Sequence, residues 1–167
     1  VFFLTNYVAE HESIQLLVGR FGYLGIFIAS VISGFNLVVP IPIATFIPLF
    51  LESGFAFGAT VFTISLGMTT GDILSYWLGR MGRYVIHESP THGHWILNRL
   101  ERAKARYQYA PYVMLFFFVS FAPIPNELTV LPMGFLGYRF LVMVPIMLVG
   151  NFIFNYLSGM GLLALFL

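Results

Sequence analysis

The sequence predicts an all-α integral membrane protein: an inverted repeat of two re-entrant helical hairpins, each followed by a transmembrane helix, plus an interfacial amphipathic helix between the halves. Three observations predict it. Of the 167 residues, 59% are hydrophobic and 9% charged, with a mean hydropathy of +0.87; an ordinary soluble domain is about 25% charged. Two apolar stretches run longer than the roughly 20 residues a helix needs to cross the hydrocarbon, while two more are cut by proline. The broken and unbroken stretches then recur in the same order in both halves of the chain. A single membrane domain over residues 1-167 accommodates this, with repeat 1 at about 21-82, a connector at 83-109 and repeat 2 at about 110-167.

The opening VFFLTNYVAEHES lacks the basic n-region and small-residue cleavage site of a signal peptide, and a first residue of Val predicts a native start upstream. The first broken stretch, Phe21 to Leu51, is interrupted by Pro40-Ile41-Pro42. Proline removes a helical donor and clashes with the preceding turn, so the stretch divides into two legs. The second leg, Ile43 to Glu52, reaches about 15 Å, half a crossing; the first, up to Val39, is long enough either to span or to serve as the other leg. Gly58 to Gly79 carries Asp72 as its only charge and is a full span. In the second half, Tyr112 to Ala122 reaches only about 16 Å before Pro123-Ile124-Pro125, and Asn126 to Gly137 returns a similar distance. A re-entrant hairpin with its tip near the midplane fits these lengths, provided it is buried in protein or lines a watery cavity. Phe140 to Leu167 has no charged residue and is the second span.

PIPIATFIPLF at Pro40 to Phe50 answers PIPNELTVLPM at Pro123 to Met133, allowing one inserted residue. GDILSYWLGRMG at Gly71 to Gly82 answers GNFIFNYLSGMG at Gly150 to Gly161 without a gap, which sets Asp72 opposite Asn151. Each unit crosses the membrane once, so the second copy is expected to be inverted, as in many secondary transporters. Six of the eight Lys and Arg (Arg80, Arg83, Arg99, Arg102, Lys104, Arg106) lie between the halves, which predicts a cytoplasmic connector, with Arg139 on the same side. Within the connector, Ile96, Leu100, Ala103 and Tyr107 share one helical face. That pattern suits a basic helix lying on anionic lipid, or a solvated cytoplasmic helix.

The PxP hairpin, the GDxxxYxxGRxxG helix (Gly71, Asp72, Tyr76, Gly79, Arg80, Gly82) and the F-x-P run ending in Gly134 resemble the DedA/VTT family, also called SNARE-associated Golgi-like membrane proteins. The resemblance covers nearly the whole chain from Tyr23 onward. It implies two facing re-entrant hairpins with transmembrane helices, and movement of lipids across the bilayer. In bacterial members that means polyprenyl phosphate carriers or phosphatidylethanolamine; in eukaryotic relatives, phospholipid scrambling. Four charged positions of the family are neutral here. Ala44 stands where an acid follows the first PxP, Asn36 is the nearest polar residue to an acid preceding it, and Ser120 and Asn126 replace two arginines. Asp72 and Arg80 remain, with Glu127 one place beyond a missing arginine. The architecture transfers better than phosphate recognition, which leans on such arginines, and the chain looks like a divergent branch.

Among candidate residues, Glu127 leads. A charge inside the bilayer costs at least about 2.5 kcal/mol at a helix centre, and such groups face a cavity or a partner. Local chemistry offers a second role that is compatible with the first: PNEL starts a helix, with Asn126 as N-cap and Glu127 at the positive end of the dipole. Asp72, Tyr76 and Arg80 share one face, as do Asn151, Asn155 and Ser158 on the repeat-related helix; such stripes serve a polar path or helix-helix hydrogen bonding. Asp72 lies about 12 Å along the axis from Arg80, so it needs another partner or a proton. The expected path is Asn36, Thr45, Asp72, Tyr76, Arg80, Asn126, Glu127, Asn151 and Asn155, framed by the tip prolines Pro40, Pro42, Pro123 and Pro125. Gly34, Gly67, Gly71 and Gly150 mark close helix packing.

Other classes find little footing. With no cysteine there are no disulfides or thiolate metal sites, and a net charge of +1 gives no hint of nucleic acid. His87, Glu88, His92 and His94 match no strong zinc spacing. No HExxH, GxSxG or Walker loop is present, so no enzyme, metal or cofactor is expected. The expected partners are membrane lipids, phospholipid or polyprenyl phosphate, and a second copy of the chain in a homo-oligomer. Three readings follow: a flippase or scramblase, possible proton coupling included; a small-solute or proton/cation-coupled transporter; and a structural assembly protein.

Overall fold

In the computed structural model the described residues are 19–35, 43–88 and 109–166. Regular structure among them is helical throughout: α1 (Tyr23–Ser33), a 3-10 turn (Ile43–Phe46) leading into α2 (Ile47–Glu52), α3 (Phe57–Glu88), α4 (Ala110–Phe121), α5 (Glu127–Phe135) and α6 (Phe140–Phe166). α3 and α6 are long and apolar enough to cross a membrane, over Phe57–Tyr84 and Phe140–Ala164. The remaining helices are short, with 11 residues in α1, 12 in α4 and 9 in α5, so none of these three exceeds about 18 Å. Asn36, the tip prolines Pro40 and Pro42, and the amphipathic stretch 96–107 lie outside the described residues.

Local chemistry accounts for the boundaries. α1 stops at Ser33 in a turn at Gly34, so the first leg, long enough on sequence to span, is a short helix. α3 runs past Gly79 to Glu88, since the chain meets no proline until Pro90. α4 opens with Pro111 in its first turn and ends where Ala122 turns extended (ψ 121°), because the residue before a proline is pushed out of the helical region.

The two halves share a set of contacts. α2 is followed by Gly54 at φ +90° and α5 by Gly137 at φ +67°. In each, the glycine N–H and the next N–H fold back onto the last turn: Gly54 to Leu51 and Phe55 to Phe50, Gly137 to Gly134 and Tyr138 to Met133. This is the Schellman motif, which needs a left-handed residue and so a glycine. The following N–H, on Ala56 or Arg139, donates to the hydroxyl of Tyr23 (3.2 Å) or Tyr112 (3.0 Å) on the first short helix of the same half. Those tyrosines also pack edge-on against Phe55 (centroids 4.9 Å apart) and Tyr138 (5.4 Å). The first N–H groups of a helix have no partner within it, so each tyrosine pins the start of a long helix to the short one. Tyr23→Phe and Tyr112→Phe are each expected to cost about 1 kcal/mol, by nearly equal amounts, in unfolding measured in detergent. A cost at only one of them would argue against equivalent halves.

α3 and α6 run antiparallel. Phe57 meets Tyr156, Ser65 meets Asn155, Asp72 meets Asn151 and Trp77 meets Phe140. α1 packs on α3 and α4 on α6, while α5 packs on α3, the 3-10 turn packs on α6, and α2 packs on both α3 and α6. The first short helix of each half thus lies on its own long helix; α5 crosses to the other half's, and the 3-10 turn reaches across to α6 while α2 touches both. Small residues let these backbones approach: a Cβ added at Gly71 would strike Gly34, and one at Gly150 would strike Val119. Gly34, Gly67, Gly71 and Gly150 all mark close packing, as their spacing predicts. Outward faces are apolar, with Leu74, Leu78 and Leu157 exposed and Leu141 84% exposed, whereas Thr60, Ser65, Thr69, Asp72 and Ser75 of α3 are buried. This polarity is opposite to that of a soluble domain, where buried positions are mostly apolar.

A candidate functional site at the second hairpin tip

Three elements converge on one buried carboxylate. Asn126 closes the turn between α4 and α5, and its carbonyl accepts from the N–H groups of Thr129 (3.0 Å) and Val130 (2.9 Å), so α5 begins where PNEL predicts. Its side chain makes no capping bond. Instead Nδ2 donates across the interior to Asp72 Oδ2 of α3 (3.2 Å) and to Asn151 Oδ1 of α6 (3.0 Å). Asn151 Nδ2 in turn donates to Asp72 Oδ2 (2.8 Å) and Thr69 Oγ1 (3.1 Å). One turn further along α6, Asn155 Nδ2 donates to the Asn151 carbonyl (2.8 Å), Ser65 Oγ (3.3 Å) and Met68 Sδ (3.3 Å). Asp72 and Asn155 are 0% exposed, Asn151 1%. The sequence asks what partners Asp72; these two amides are the answer, one from the hairpin tip and one from α6.

Beside this junction lies a cavity of about 670 Å³. Thr45 of the first half, Pro123, Pro125 and Asn126 of the second, and Asn151 and Asn155 of α6 all line it. Pro123, Ile124, Pro125 and Thr45 are also exposed, so the cavity opens to the surface at the hairpin tips. Two residues expected on the path stand back from it. Asp72 is behind the wall formed by Asn126 and Asn151, and Glu127, 2% exposed, is buried in the first turn of α5, where its carboxylate meets the positive end of the helix dipole.

Tyr76 and Arg80 serve a different place from the expected path. Tyr76 is buried and donates from its hydroxyl to the Tyr138 carbonyl (2.8 Å), and Arg80 Nη1 donates to that hydroxyl (3.2 Å). Arg83 Nη1 donates to the Leu136 carbonyl (3.1 Å). Cations at a helix C-terminus are favourable because its last carbonyls carry partial negative charge, so this group latches the α5–α6 corner onto α3.

Sequence reasoning missed Thr69 and Ser65. They extend the Asp72–Tyr76 stripe upstream at i, i+4, i+7 and i+11, a signal available from spacing alone. Of the connector's histidines, His92 and His94 lie outside the described residues; among the described residues no group of three His, Asp or Glu is placed to hold a metal. The chain matches no protein-family model, no curated protein and no solved structure.

Proposed function

We propose that this chain is a divergent DedA/VTT-like integral membrane protein that moves amphiphilic lipid between leaflets, its two hairpins re-entering the bilayer from opposite faces as an inverted repeat. One observation carries the reading: a cavity with an asparagine wall and otherwise mostly apolar lining, rimmed by exposed tip residues, sits between long helices whose outer faces are apolar. A headgroup slides past Asn126, Asn151 and Asn155 while its tails stay against the apolar rim. The contacts common to the two halves support the repeat, since duplicated units keep equivalent interactions. The second tip supports the re-entrant depth: Asn126 bonds to Asp72, the 16th of the 32 residues of α3 (72 − 57 + 1). Arg80, Arg83 and Arg139 gather at one end, the cytoplasmic one by the positive-inside rule.

The second reading, a small-solute or cation-coupled transporter, uses the same cavity as a closed midplane site. The exposed rim at Pro123, Ile124 and Pro125 favours lipid. The test is leaflet exchange of labelled phospholipid and polyprenyl phosphate in liposomes, with and without a pH gradient. Exchange is expected above empty vesicles and lower in Glu127→Gln, because the substitution removes the buried charge at the start of α5. No exchange of either lipid by protein shown to be folded and inserted would end the lipid reading.

A further inference from the structure

A hydroxyl on an apolar helix has a ready partner in its own main chain. Ser30, Thr63, Ser65, Thr69 and Thr70 each donate to the carbonyl four residues back, at distances between 2.6 and 2.9 Å. Ser75 of α3 departs from this pattern: it is 0% exposed, and its Oγ is buried without a hydrogen-bond partner among the described residues. Three residues back on the same helix, Asp72 is half satisfied. Its Oδ2 accepts from the amides of Asn126 and Asn151, while its Oδ1 is buried with no partner among the described residues. Residues three apart are neighbours on a helix, so two unpartnered oxygens stand together on the buried side of α3.

A third oxygen donor comes from α5, which packs on α3. Glu127 is 2% exposed, follows the residue whose amide reaches Asp72, and lies near enough for its charge to act on Asp72. A carboxylate accepts several partners at once, so Glu127 can serve as a ligand alongside its other interactions. Positive charge is scarce around Asp72. The helices α1, α2, α4, α5 and α6 contain no Lys or Arg, and Arg80, about 12 Å along α3 from Asp72, donates to Tyr76. The positive end of α5 offsets only about half a charge, whereas buried charges in proteins are paired or coordinate a metal ion.

We propose that Asp72 Oδ1, Ser75 Oγ and the Glu127 carboxylate form a sodium site between α3 and the first turn of α5, independent of what the neighbouring cavity carries. The donors are all oxygen, which suits hard cations rather than transition metals. Calcium takes about six to eight oxygens and magnesium a nearly ideal octahedron, more than these three side chains supply. None of the three lines the cavity, and their burial favours a small ion stripped of water over potassium. Bound there, sodium ties the second hairpin to α3 beside the Asn126 amide.

Thermal unfolding of the full chain in detergent tests the site, with sodium, potassium or choline chloride at one ionic strength. Sodium is expected to raise Tm by several degrees over choline, since an ion bound only by the folded state stabilises it, and potassium by less. Ser75→Ala removes one ligand without removing a hydrogen bond among the described residues, so it should fold and need about tenfold more sodium for the same rise, the scale of one interaction with a charge. Asp72→Asn should abolish the sodium effect. Equal Tm in the three salts overturns the site, as does a sodium response unchanged in Ser75→Ala. Calcium that stabilises at lower concentration than sodium overturns the monovalent assignment. Sodium stabilisation without leaflet exchange would keep the site and end only the lipid reading; exchange without a sodium effect would do the reverse.

Discussion

Gly79→Ala will destabilise the protein by about 1–3 kcal/mol, the range for overpacking a filled contact, even though alanine is the better helix former. The reason lies in what the new methyl meets. A Cβ at Gly79 would collide with the Leu131 carbonyl and crowd the Phe135 nitrogen, and across the same contact a Cβ at Gly134 would collide with the Tyr76 carbonyl. Both obstacles are main chain, so no side chain can swing aside and α5 must move as a body. Its first residue is preceded by Asn126, whose bond to Asp72 is already 3.2 Å long, so a shift of a few tenths of an ångström away from α3 breaks it. On the proposed lipid-transport reading, Gly79→Ala should therefore lower leaflet exchange as well as stability. Gly58→Ala is the control: nothing lies within 4 Å of a Cβ there, and it should be neutral or stabilise by up to about 1 kcal/mol. Unfolding in mixed detergent measures both, and equal effects at the two sites would contradict the close α3–α5 packing.

On the proposed lipid-transport reading, Asn126→Leu is expected to lower leaflet exchange by about tenfold, the consequence of leaving buried acceptors without a donor. Leucine is similar in size, but it leaves Asp72 with a single amide donor and Asn151 Oδ1 with none from the tip. The hairpin tip then loses both side-chain hydrogen bonds that Asn126 makes to α3 and α6. A cycle with Asp72→Asn separates this from general damage: side chains in direct contact are coupled by about 0.5–3 kcal/mol, whereas distant pairs add. Tyr112→Phe, at the far end of α4, should show no coupling to Asn126→Leu. Exchange that survives Asn126→Leu undiminished would remove the tip from the path.

The helix inventory was legible in sequence because its causes are local. The lengths of apolar stretches predict α3 and α6, and the PIP tripeptide at 123–125 predicts the break between α4 and α5, since a proline restricts the residue before it whatever the rest of the chain does. Gly71 and Gly150 announced close packing because a residue without a side chain leaves room for a neighbour, the main chain of Gly34 at the first and the side chain of Val119 at the second. The stripes Asp72–Tyr76–Arg80 and Asn151–Asn155 were visible as spacing, and their burial at Asp72, Tyr76, Asn151 and Asn155 follows from it.

Spacing did not say what each stripe faces. Tyr76 and Arg80 share a helix face with Asp72, yet they turn to the α5–α6 corner while Asp72 turns to the tip, because α5 packs along α3 and presents different chemistry at each turn. Asn126 is the clearest case. Before a glutamate at a helix start, an asparagine satisfies a cap by local rules alone, and its sequence holds no sign that a carboxylate 54 residues away will take its amide instead. Sequence by itself determined where helices start, stop and approach, since sterics and hydropathy act between neighbours. Only the tertiary structure decided which buried donors meet which acceptors, because a side-chain amide has several partners of similar worth and the packing of α3 against α6 selects among them.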